Sequence, residues 1–406
     1  MARILIGTVP ILGHINPFLP LVRELAARGH ELRWYTGAKY RGVVEAAGAT
    51  YAPMVEARDY DDANTNAAFP GRDQLAGTEQ LKFDMKHIFI NNGVAQLHDL
   101  QTLTRSFQTD LLLADSAFVG AGLLHELTGL PLGVLNVLPL GLSSRDTAPF
   151  GLGLGPDHSP FGHLRNRALQ WSAETLLFGD VQRSWQAARA KVGLGRGPWL
   201  LDWARNSSLY VQPSVPGFEY PRSDLPAHVH FIGALPVGRP AGWEAPTWWG
   251  ELDGGRPVVH ISQGTIANQA PALIAPALAG LSDEDVLVVV STGGRPVEQL
   301  LRGSVPDNTR ISTFLSYPDL LPRVAAMVTN GGYGGAQLAL SYGVPLVVAG
   351  TTEDKPEVAA RVAWSGAGLN LRTATPTPTQ VRDAVRALRS NCRYRARPQA
   401  LQAEYA

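Results

Sequence analysis

Near residue 330 the chain passes through an apolar stretch, a glycine-rich turn, a helical pattern and a second apolar stretch, and this order constrains its fold most. Ala325–Thr329 predicts a buried strand, and Asn330–Gly335 (NGGYGG) follows as the turn. The helical pattern covers Gly335–Tyr342, and after a Gly-Val-Pro turn Pro345–Ala349 predicts the next strand. Two apolar strands joined by a helix are typical of a parallel sheet covered by helices on both faces.

The same alternation recurs in both halves of the chain. A chain of 406 residues is too long for one typical core. The sequence therefore predicts an α/β protein with two doubly wound, Rossmann-like domains that face each other across a cleft. The other predicted strands are Arg3–Thr8, His30–Thr36, Leu111–Ala114, Pro131–Val137, Pro257–Ser262, Val286–Val290, Arg310–Phe314 and Gly368–Leu371. The main predicted helices are Pro17–Arg28 with Asn16 as its N-cap, Phe118–Leu127 and Arg165–Val192.

The predicted domain boundaries follow composition. Residues 1–215 form the N-terminal domain, and residues 216–256 are dense in Pro, Gly and Trp and predict the interdomain connection. Residues 257–391 form the C-terminal domain, and residues 392–406 are a polar tail with a helical tendency.

Composition excludes several classes of function. Lys+Arg and Asp+Glu number 35 each, so no net charge favours nucleic acid or an anionic membrane as a partner. The single Cys392 excludes an intrachain disulfide framework and a thiolate metal cluster. No apolar run reaches the length of a membrane span, and the N-terminus lacks a signal-peptide pattern, so we expect a soluble, cytoplasmic protein.

The glycine turn at residue 330 predicts a phosphate site. Free N–H groups and the dipole at a helix N-terminus attract phosphate, and the polar cluster Gly350–Lys355 follows the neighbouring strand. Ser262-Gln263-Gly264-Thr265 ends another strand and offers a hydroxyl and N–H groups at the same edge. A tight turn that binds nothing is the competing interpretation, and the polar cluster favours a nucleoside diphosphate with an attached group.

His14 and Asp115 predict a base and its partner. His14 follows the first strand and Asp115 ends the strand at Leu111–Ala114, so both lie at the carboxyl edge of one parallel sheet. A carboxylate on one imidazole nitrogen fixes the tautomer and supports the protonated ring. The competing interpretation makes Asp115 the N-cap of the helix that begins near Phe118, and one carboxylate is not expected to serve both roles fully.

Two further motifs are given no chemistry. Asp59-Tyr60-Asp61-Asp62 contains an Asp-x-Asp string of the kind that binds divalent metals, but its polar surroundings favour a solvated loop. The run Gly151-Leu152-Gly153-Leu154-Gly155 lacks a strand–helix context and predicts a flexible loop. We find neither a Gly-x-Ser-x-Gly nucleophile elbow nor a Walker loop.

These residues resemble a known family over nearly the whole chain. Gly13-His14-Ile15-Asn16-Pro17 resembles its N-terminal GHxxP motif. Asn330–Gly335, Gly343-Val344-Pro345 and Asp354-Lys355-Pro356 resemble its HGGxG…GVP…DQP donor signature in order and spacing. The chain is thus similar to nucleotide-sugar-dependent glycosyltransferases of the GT-B fold, of the bacterial natural-product and macrolide type related to UDP-glycosyltransferases.

The resemblance implies an inverting transfer from a UDP- or TDP-sugar to a hydroxyl of an apolar small-molecule aglycone, with no metal and no other cofactor. It implies His14 as catalytic base and Asp115 as its partner. The implied donor-binding residues are Gly13, Ser262, Gly264, Thr265, Leu315, Asn330, Gly331, Gly332, Gly334, Gly335, Glu353, Asp354 and Lys355. The candidate acceptor-binding residues, any of which could instead be core, are Phe83, Met85, His87, Phe89, Phe118, Leu138 and Phe150.

Three positions depart from the family pattern. Asn330 stands in place of a diphosphate-binding His, Leu338 in place of a ribose-binding Glu, and Lys355 in place of a Gln. An Asn amide donates a hydrogen bond but carries no charge. These departures leave two alternatives open: a non-catalytic auxiliary or nucleotide-sugar-binding protein, and a nucleotide-sugar epimerase on the same fold.

Overall fold

A computed structural model describes residues 1–239, 242–264, 272–294 and 305–406. The chain divides into two compact units. The first comprises residues 1–149, 157–213 and 222–231, and the second comprises residues 150–156, 214–221 and 232–406. Each unit contains one sheet in which every described strand pair is parallel, so the predicted α/β fold class is confirmed.

The first unit is built on a seven-stranded sheet in the order β3-β2-β1-β4-β5-β6-β7. Its central strands are apolar on both faces because helices cover both sides of a parallel sheet. The strands are β1 (Arg3–Gly7), β2 (Glu31–Tyr35), β3 (Thr50–Ala52), β4 (Leu111–Asp115), β5 (Leu132–Leu135), β6 (Leu209–Gln212) and β7 (Val229–Phe231).

The helices of the first unit pack a continuous apolar core against this sheet. This unit contains two π-helical turns, Met85–Asn91 and Ala173–Leu177, and each lies between two consecutive helices. The helices are α1 (Leu12–Ile15), α2 (Phe18–Ala27), α3 (Arg41–Ala46), α4 (Thr65–Ala68), α5 (Gly77–Asp84), α6 (Asn92–Phe107), α7 (Val119–Thr128), α8 (Pro160–Ser172) and α9 (Gly179–Lys191).

The second unit is built on a six-stranded sheet in the order β10-β9-β8-β11-β12-β13, with an apolar core on each side. Its strands are β8 (Val258–Ser262), β9 (Leu287–Ser291), β10 (Thr309–Ser312), β11 (Val324–Thr329), β12 (Leu346–Val348) and β13 (Gly368–Asn370). Its described helices are α10 (Ile274–Leu281), α11 (Tyr317–Leu320), α12 (Tyr333–Ser341), α13 (Lys355–Trp364), α14 (Pro378–Ser390) and α15 (Arg393–Tyr405).

Local details differ from the sequence prediction. Asn16 is not the N-cap of α2, because it ends the short α1 and Pro17 occupies the cap position. The helix predicted over Arg165–Val192 is broken at Ala173–Leu177, where the backbone widens into a π-turn. The predicted connection 216–256 contributes to both units, since it supplies β7 to the first sheet and residues from 232 onward to the second unit.

The glycine run Gly151–Gly155 forms a loop, as predicted, and this loop is anchored in the second unit. The N–H groups of Gly151 and Gly153 both donate to Glu357 Oε1 at 2.8 Å. Gly153 has φ +60°, and a Cβ there would lie 3.1 Å from Pro356 O. The run therefore lies against α13, where glycine permits both the backbone turn and the close approach.

None of the helices in the described ranges has the length and apolar character that crossing a membrane requires.

Candidate active site

The first sheet brings His14 and Asp115 together at its carboxyl edge. β1 and β4 are neighbours, with Gly7 opposite Ala114, so the loop after β1 lies beside the end of β4. His14 lies on α1, and its Nδ1 is 2.9 Å from Asp115 Oδ1. An ionised carboxylate only accepts hydrogen bonds, so Nδ1 carries the proton and Nε2 keeps its lone pair. The predicted pairing of imidazole and carboxylate is thus present in the structure.

Asp115 is fully buried and holds three donors at once. Its Oδ2 accepts the N–H of Val9 at 2.7 Å, and its Oδ1 accepts the N–H of Ala117 at 2.6 Å in addition to the His14 ring. α7 begins at Val119 with Phe118 as its N-cap, so Asp115 closes the preceding turn rather than capping the helix. Asp115 therefore holds His14 without capping the helix, and the same Oδ1 also accepts the N–H of Ala117.

The acidic segment after residue 58 supports the same region. Asp62 Oδ2 accepts the N–H of Leu12, the first residue of the His14 helix, at 2.9 Å and the hydroxyl of Tyr40 at 2.8 Å. Asp61 Oδ1 lies 2.6 Å from Lys39 Nζ, which also contacts Asp62. The Asp62 side chain is largely buried, so this part of the predicted solvated loop is instead a structural support for α1.

The described part of the chain contains no group of three or more His, Cys, Asp or Glu side chains arranged to hold a metal ion.

The candidate acceptor residues fall into three groups. Phe83 and His87 lie near the surface with ring centroids 4.2 Å apart, and Phe89 and Leu138 are half-buried. Met85 and Phe118 belong to the core; Phe118 packs edge-on against Tyr35 and fills the space beside Gly7, so it is not available as a wall. Phe150 is half-buried and belongs to the second unit.

The glycine-rich turn of the second unit, the predicted phosphate turn, begins directly after β11. Gly331 has φ +90°, and its N–H donates to Thr329 Oγ1 at 3.2 Å. A side chain at Gly331 would be strained by this φ and would meet Val348 at 2.8 Å. α12 then begins at Tyr333, two residues earlier than predicted, with Gly332 as an N-cap that supplies no side chain.

The first turn of α12 exposes main-chain donors. Gly334 and Gly335 lie within this turn, and the N–H groups of a first helical turn have no intrahelical acceptor. A Cβ added at Gly332, Gly334 or Gly335 would meet no atom of the chain within 4 Å. Neither packing nor a left-handed backbone therefore requires glycine at these three positions.

The end of β8 lies beside this turn, as the sequence predicts. The side-chain amide of Asn330 donates to Gln263 O and lies against Gly264, whose φ is +77°. Asn330 thus joins the loop after β11 to the loop after β8. Ser262 is buried, and its Oγ accepts the hydroxyl of Tyr317 at 3.3 Å. Thr265 lies outside the described residues.

His260 is the buried histidine of this unit. Its Nδ1 donates to Val289 O at 3.0 Å, and its Nε2 lies 3.3 Å from the Tyr317 hydroxyl. Burial lowers the pKa of His260 to about 4, so the ring is neutral near pH 7. Both ring nitrogens face the protein interior, so we assign His260 no catalytic role.

Two residues near the expected nucleotide site face inward. Leu315 is buried next to the exposed Phe314, so a nucleobase could meet Leu315 only through its backbone. Leu338 is buried in the core, and Gln337 accepts a hydrogen bond from the hydroxyl of Tyr405 on α15. Leu338 has no polar side-chain group and the Gln337 amide oxygen is engaged by Tyr405, so neither replaces the Glu that the family pattern has at position 338.

The side chains of the polar turn after β12 differ in burial and in their partners. Glu353 is exposed and has φ +57°, an unusual value for a residue with a side chain. Asp354 is the N-cap of α13 but makes no side-chain cap hydrogen bond. Lys355 is buried, and its Nζ donates to Glu353 and, at 3.4 Å, to Thr352 Oγ1.

A buried ionic network lies beneath the two turns, and sequence reasoning missed it. Arg361 Nε donates to Glu219 Oε2 at 2.7 Å and its Nη1 donates to Glu357 Oε2 at 2.6 Å. Tyr333, the first residue of α12, donates its hydroxyl to Glu219 Oε1 at 2.9 Å. The network therefore joins the helix after the phosphate turn to the helix after the polar turn. The i, i+4 spacing of Glu357 and Arg361 signals their pairing, whereas nothing in the sequence points to Glu219.

Comparison with known proteins identifies the class. A profile of the family described as "Erythromycin biosynthesis protein CIII-like, C-terminal domain" matches residues 276–406. The chain is 44% identical to 4'-demethylrebeccamycin synthase of Lentzea aerocolonigenes, over 100% of this chain and 96% of that protein. It is 34% identical to UDP-glycosyltransferase 2 of Phaeomoniella chlamydospora, over 99% of this chain and 92% of that protein. The chain therefore belongs to the glycosyltransferases of natural-product type, related to the UDP-glycosyltransferases.

Solved structures share the fold at low identity. CalG4, the calicheamicin glycosyltransferase, matches with a TM-score of 0.75 and 23% identity over 100% of this chain and 94% of that chain. The spinosyn rhamnosyltransferase SpnG, complexed with thymidine diphosphate, matches with a TM-score of 0.70 and 20% identity over 99% of this chain and 96% of that chain. Both are GT-B glycosyltransferases, so the predicted fold is confirmed.

Proposed function

We propose that this glycosyltransferase moves a sugar from a UDP- or TDP-sugar to a hydroxyl group of an apolar natural product, with inversion at the anomeric carbon and without a metal ion or other cofactor. The observation that supports a nucleotide-sugar donor is the glycine-rich first turn of α12. Glycine costs about 1 kcal/mol relative to alanine inside a helix. Gly334 and Gly335 therefore make the helix less stable, although a Cβ at either position would meet no atom of the chain within 4 Å.

A close-approaching anion explains these glycines. The N–H groups and dipole of a helix N-terminus stabilise phosphate, and the absence of Cβ atoms lets a diphosphate reach the main chain. Asn330 is held by Gln263 O, so the main chain rather than this side chain is the proposed source of hydrogen bonds. The thymidine diphosphate bound by SpnG supports a nucleoside diphosphate as the ligand class.

The His14–Asp115 pair supports the transfer chemistry. His14 Nε2 takes the proton of the acceptor hydroxyl while the oxygen of that hydroxyl attacks the anomeric carbon. The bond from that carbon to the diphosphate oxygen breaks on the opposite face, so configuration inverts. Asp115 stabilises the imidazolium that forms, and the helix N-terminus stabilises the leaving diphosphate.

The sugar is proposed to lie at the turn after β12. Asp354 and Lys355 would hydrogen-bond its hydroxyl groups, and the Lys355 ammonium also adds a positive charge near the leaving group. The acceptor is proposed to be apolar because Phe83, Phe89 and Leu138 offer half-buried apolar surface in the first unit. The relative named 4'-demethylrebeccamycin synthase supports an acceptor of natural-product type.

A pair of matched variants tests the donor site. Gly334→Asp places a carboxylate in the first turn of α12. The helix dipole stabilises a negative charge there and the side chain meets no steric obstacle, so the variant should fold. The same carboxylate should repel a diphosphate and weaken UDP and TDP binding about tenfold or more. Gly42→Asp is the control, because Gly42 is also the second residue of a helix and is equally unobstructed.

Isothermal titration of UDP and TDP measures both variants. Unchanged affinity in Gly334→Asp, or no binding of either nucleotide to the unmodified protein, would show that the assignment is wrong. A screen of UDP- and TDP-sugars against polyketide and flavonoid aglycones, read by nucleotide release with and without acceptor, then identifies the substrates. No nucleotide release from any donor would favour the non-catalytic alternative, whereas release that never depends on an acceptor would indicate donor hydrolysis instead of transfer.

A further inference from the structure

Tyr60 carries a buried hydroxyl for which the described chain provides no hydrogen-bond partner. Its side chain is 5% exposed, and no donor or acceptor of the described residues reaches its Oη. Burying an unpaired hydroxyl costs folding free energy, since water would otherwise bind it. Phenylalanine would fill the same space without this cost, so folding alone does not account for the hydroxyl.

The Tyr60 ring lies next to the catalytic region of the first unit. It forms a small apolar cluster with Phe69 and Ile88, and its ring packs edge-on against Phe69 with centroids 5.4 Å apart. Ile11 packs on this cluster and immediately precedes the helix that carries His14. Phe83 and Phe89, two of the candidate acceptor residues, pack on it as well.

The carboxylates near the phenol are already engaged by other donors. Asp115 holds His14 and two backbone N–H groups, and Asp62 holds Leu12, Tyr40 and Lys39. Asp84 is paired through both oxygens with Arg72, at 2.7 and 2.9 Å.

The environment keeps the phenol protonated. Burial raises the pKa of Tyr60 above its usual value, and the negative charges of Asp115 and Asp62 raise it further. The hydroxyl is therefore protonated and able to donate a hydrogen bond at neutral pH.

We propose that Tyr60 is an acceptor-binding residue whose hydroxyl donates a hydrogen bond to an oxygen of the aglycone and thereby orients the aglycone beside His14. This assignment rests on the proposed function. The chemical class that fits is an apolar, ring-containing acceptor with a carbonyl, ether or hydroxyl oxygen next to the hydroxyl that is glycosylated. The apolar part would pack among Phe69, Phe83 and Ile88.

The cover over Tyr60 is formed in part by short turns. Ala68 of the single turn Thr65–Ala68 and Ile88 and Phe89 of the π-turn Met85–Asn91 pack on the Tyr60 cluster. Short turns with few internal hydrogen bonds open locally at low free-energy cost, and π-turns occur often at functional sites. An aglycone can therefore reach the phenol by displacing this cover.

The test compares Tyr60→Phe with Tyr51→Phe. Tyr51 also lies in the first unit, and its Oη likewise has no hydrogen-bond partner among the described residues, but its pKa is influenced by Asp59 and Arg41 and not by Asp115. Both variants should fold with an unchanged or higher Tm, because each loses an unpaired hydroxyl. Only Tyr60→Phe should raise the acceptor KM and Kd, by about three- to tenfold for one neutral hydrogen bond.

Acceptor binding is followed by tryptophan fluorescence without donor, using quercetin and the aglycone that the unmodified protein glycosylates best. TDP affinity and acceptor-free donor hydrolysis should stay unchanged in both variants. An acceptor Kd and KM within twofold of the unmodified values in Tyr60→Phe would overturn the assignment, as would an equal loss of TDP affinity or equal effects in Tyr51→Phe. Failure of the proposed function differs, since the unmodified protein would then transfer no sugar to any acceptor.

Discussion

The two candidate sites are built from different parts of the polypeptide. In the first unit the chemistry rests on side chains, and Asp115 fixes His14 while holding the backbone at Val9 and Ala117. In the second unit the proposed phosphate site rests on main-chain groups of α12, and its glycines have no packing role of their own. The first site should therefore fail when a side chain is removed, whereas the second should fail when one is added.

The largest expected effect is on turnover at the first site. His14→Ala should lower kcat by about 10²–10⁴ because the general base is lost, while UDP and TDP affinity stays unchanged. Steady-state kinetics and calorimetry measure the two quantities. His98→Ala is the control: its Nδ1 is also 2.9 Å from a carboxylate, that of Glu56, but the pair is exposed. Full activity of His14→Ala would refute the mechanism.

Asp115→Asn should produce the next largest effect, a loss of about 10² in kcat, because an amide cannot stabilise the imidazolium. The double variant with His14→Ala should be little worse than His14→Ala alone, since the two residues act as one unit. Stability should also fall, because a neutral amide replaces an ionised acceptor of two backbone N–H groups. Normal turnover with reduced Tm would mean that Asp115 serves the fold only.

Asp354→Ala extends the comparison to the sugar. A lost hydrogen bond to a charged group costs about 1.5–3 kcal/mol, which is about 10- to 150-fold in kcat/KM for the nucleotide sugar. UDP and TDP binding should survive, and an equal loss of nucleotide affinity would place Asp354 at the nucleotide instead. Asp383→Ala, on an exposed helix face, is the control.

The smallest expected effect is that of chelation. The carboxylates of Asp61 and Asp62 are engaged by Lys39, Tyr40 and backbone N–H groups, which favours transfer without a divalent ion. Activity in EDTA should remain within about twofold of the untreated rate, because the helix N-terminus supplies the charge stabilisation. Complete inactivation that magnesium or manganese reverses would contradict this prediction.

The sequence predicted what depends on local pattern. The central strands and the pairing of His14 with Asp115 follow from apolar runs and from the rule that parallel strands share a carboxyl edge. The strands Thr50–Ala52, Leu209–Gln212 and Val229–Phe231 were missed because each mixes buried with exposed residues and contains no continuous buried apolar run.

Contacts between distant residues were beyond local pattern. Glu219 and Arg361 are 142 residues apart and form one ion pair, and the orphan hydroxyl of Tyr60 becomes visible only when its neighbours are known. The anchoring of the glycine run at 151–155 was missed for the same reason, since Glu357 is 206 and 204 residues away from the two glycines that it binds. Such features depend on packing that no short window of sequence encodes.

The second unit is built from three separate stretches of the chain, and this limits where two enzymes can be recombined into a hybrid. In a hybrid enzyme joined within the predicted connection, after residue 219, the N-terminal half would come from another glycosyltransferase. Arg361 would then lose Glu219 of its own chain. A guanidinium buried without one of its carboxylates destabilises a fold by about 3–5 kcal/mol. Residues 150–156 and 214–221 should therefore be transplanted with the C-terminal half. The unit that carries the proposed donor site is therefore encoded by three separate stretches of the gene.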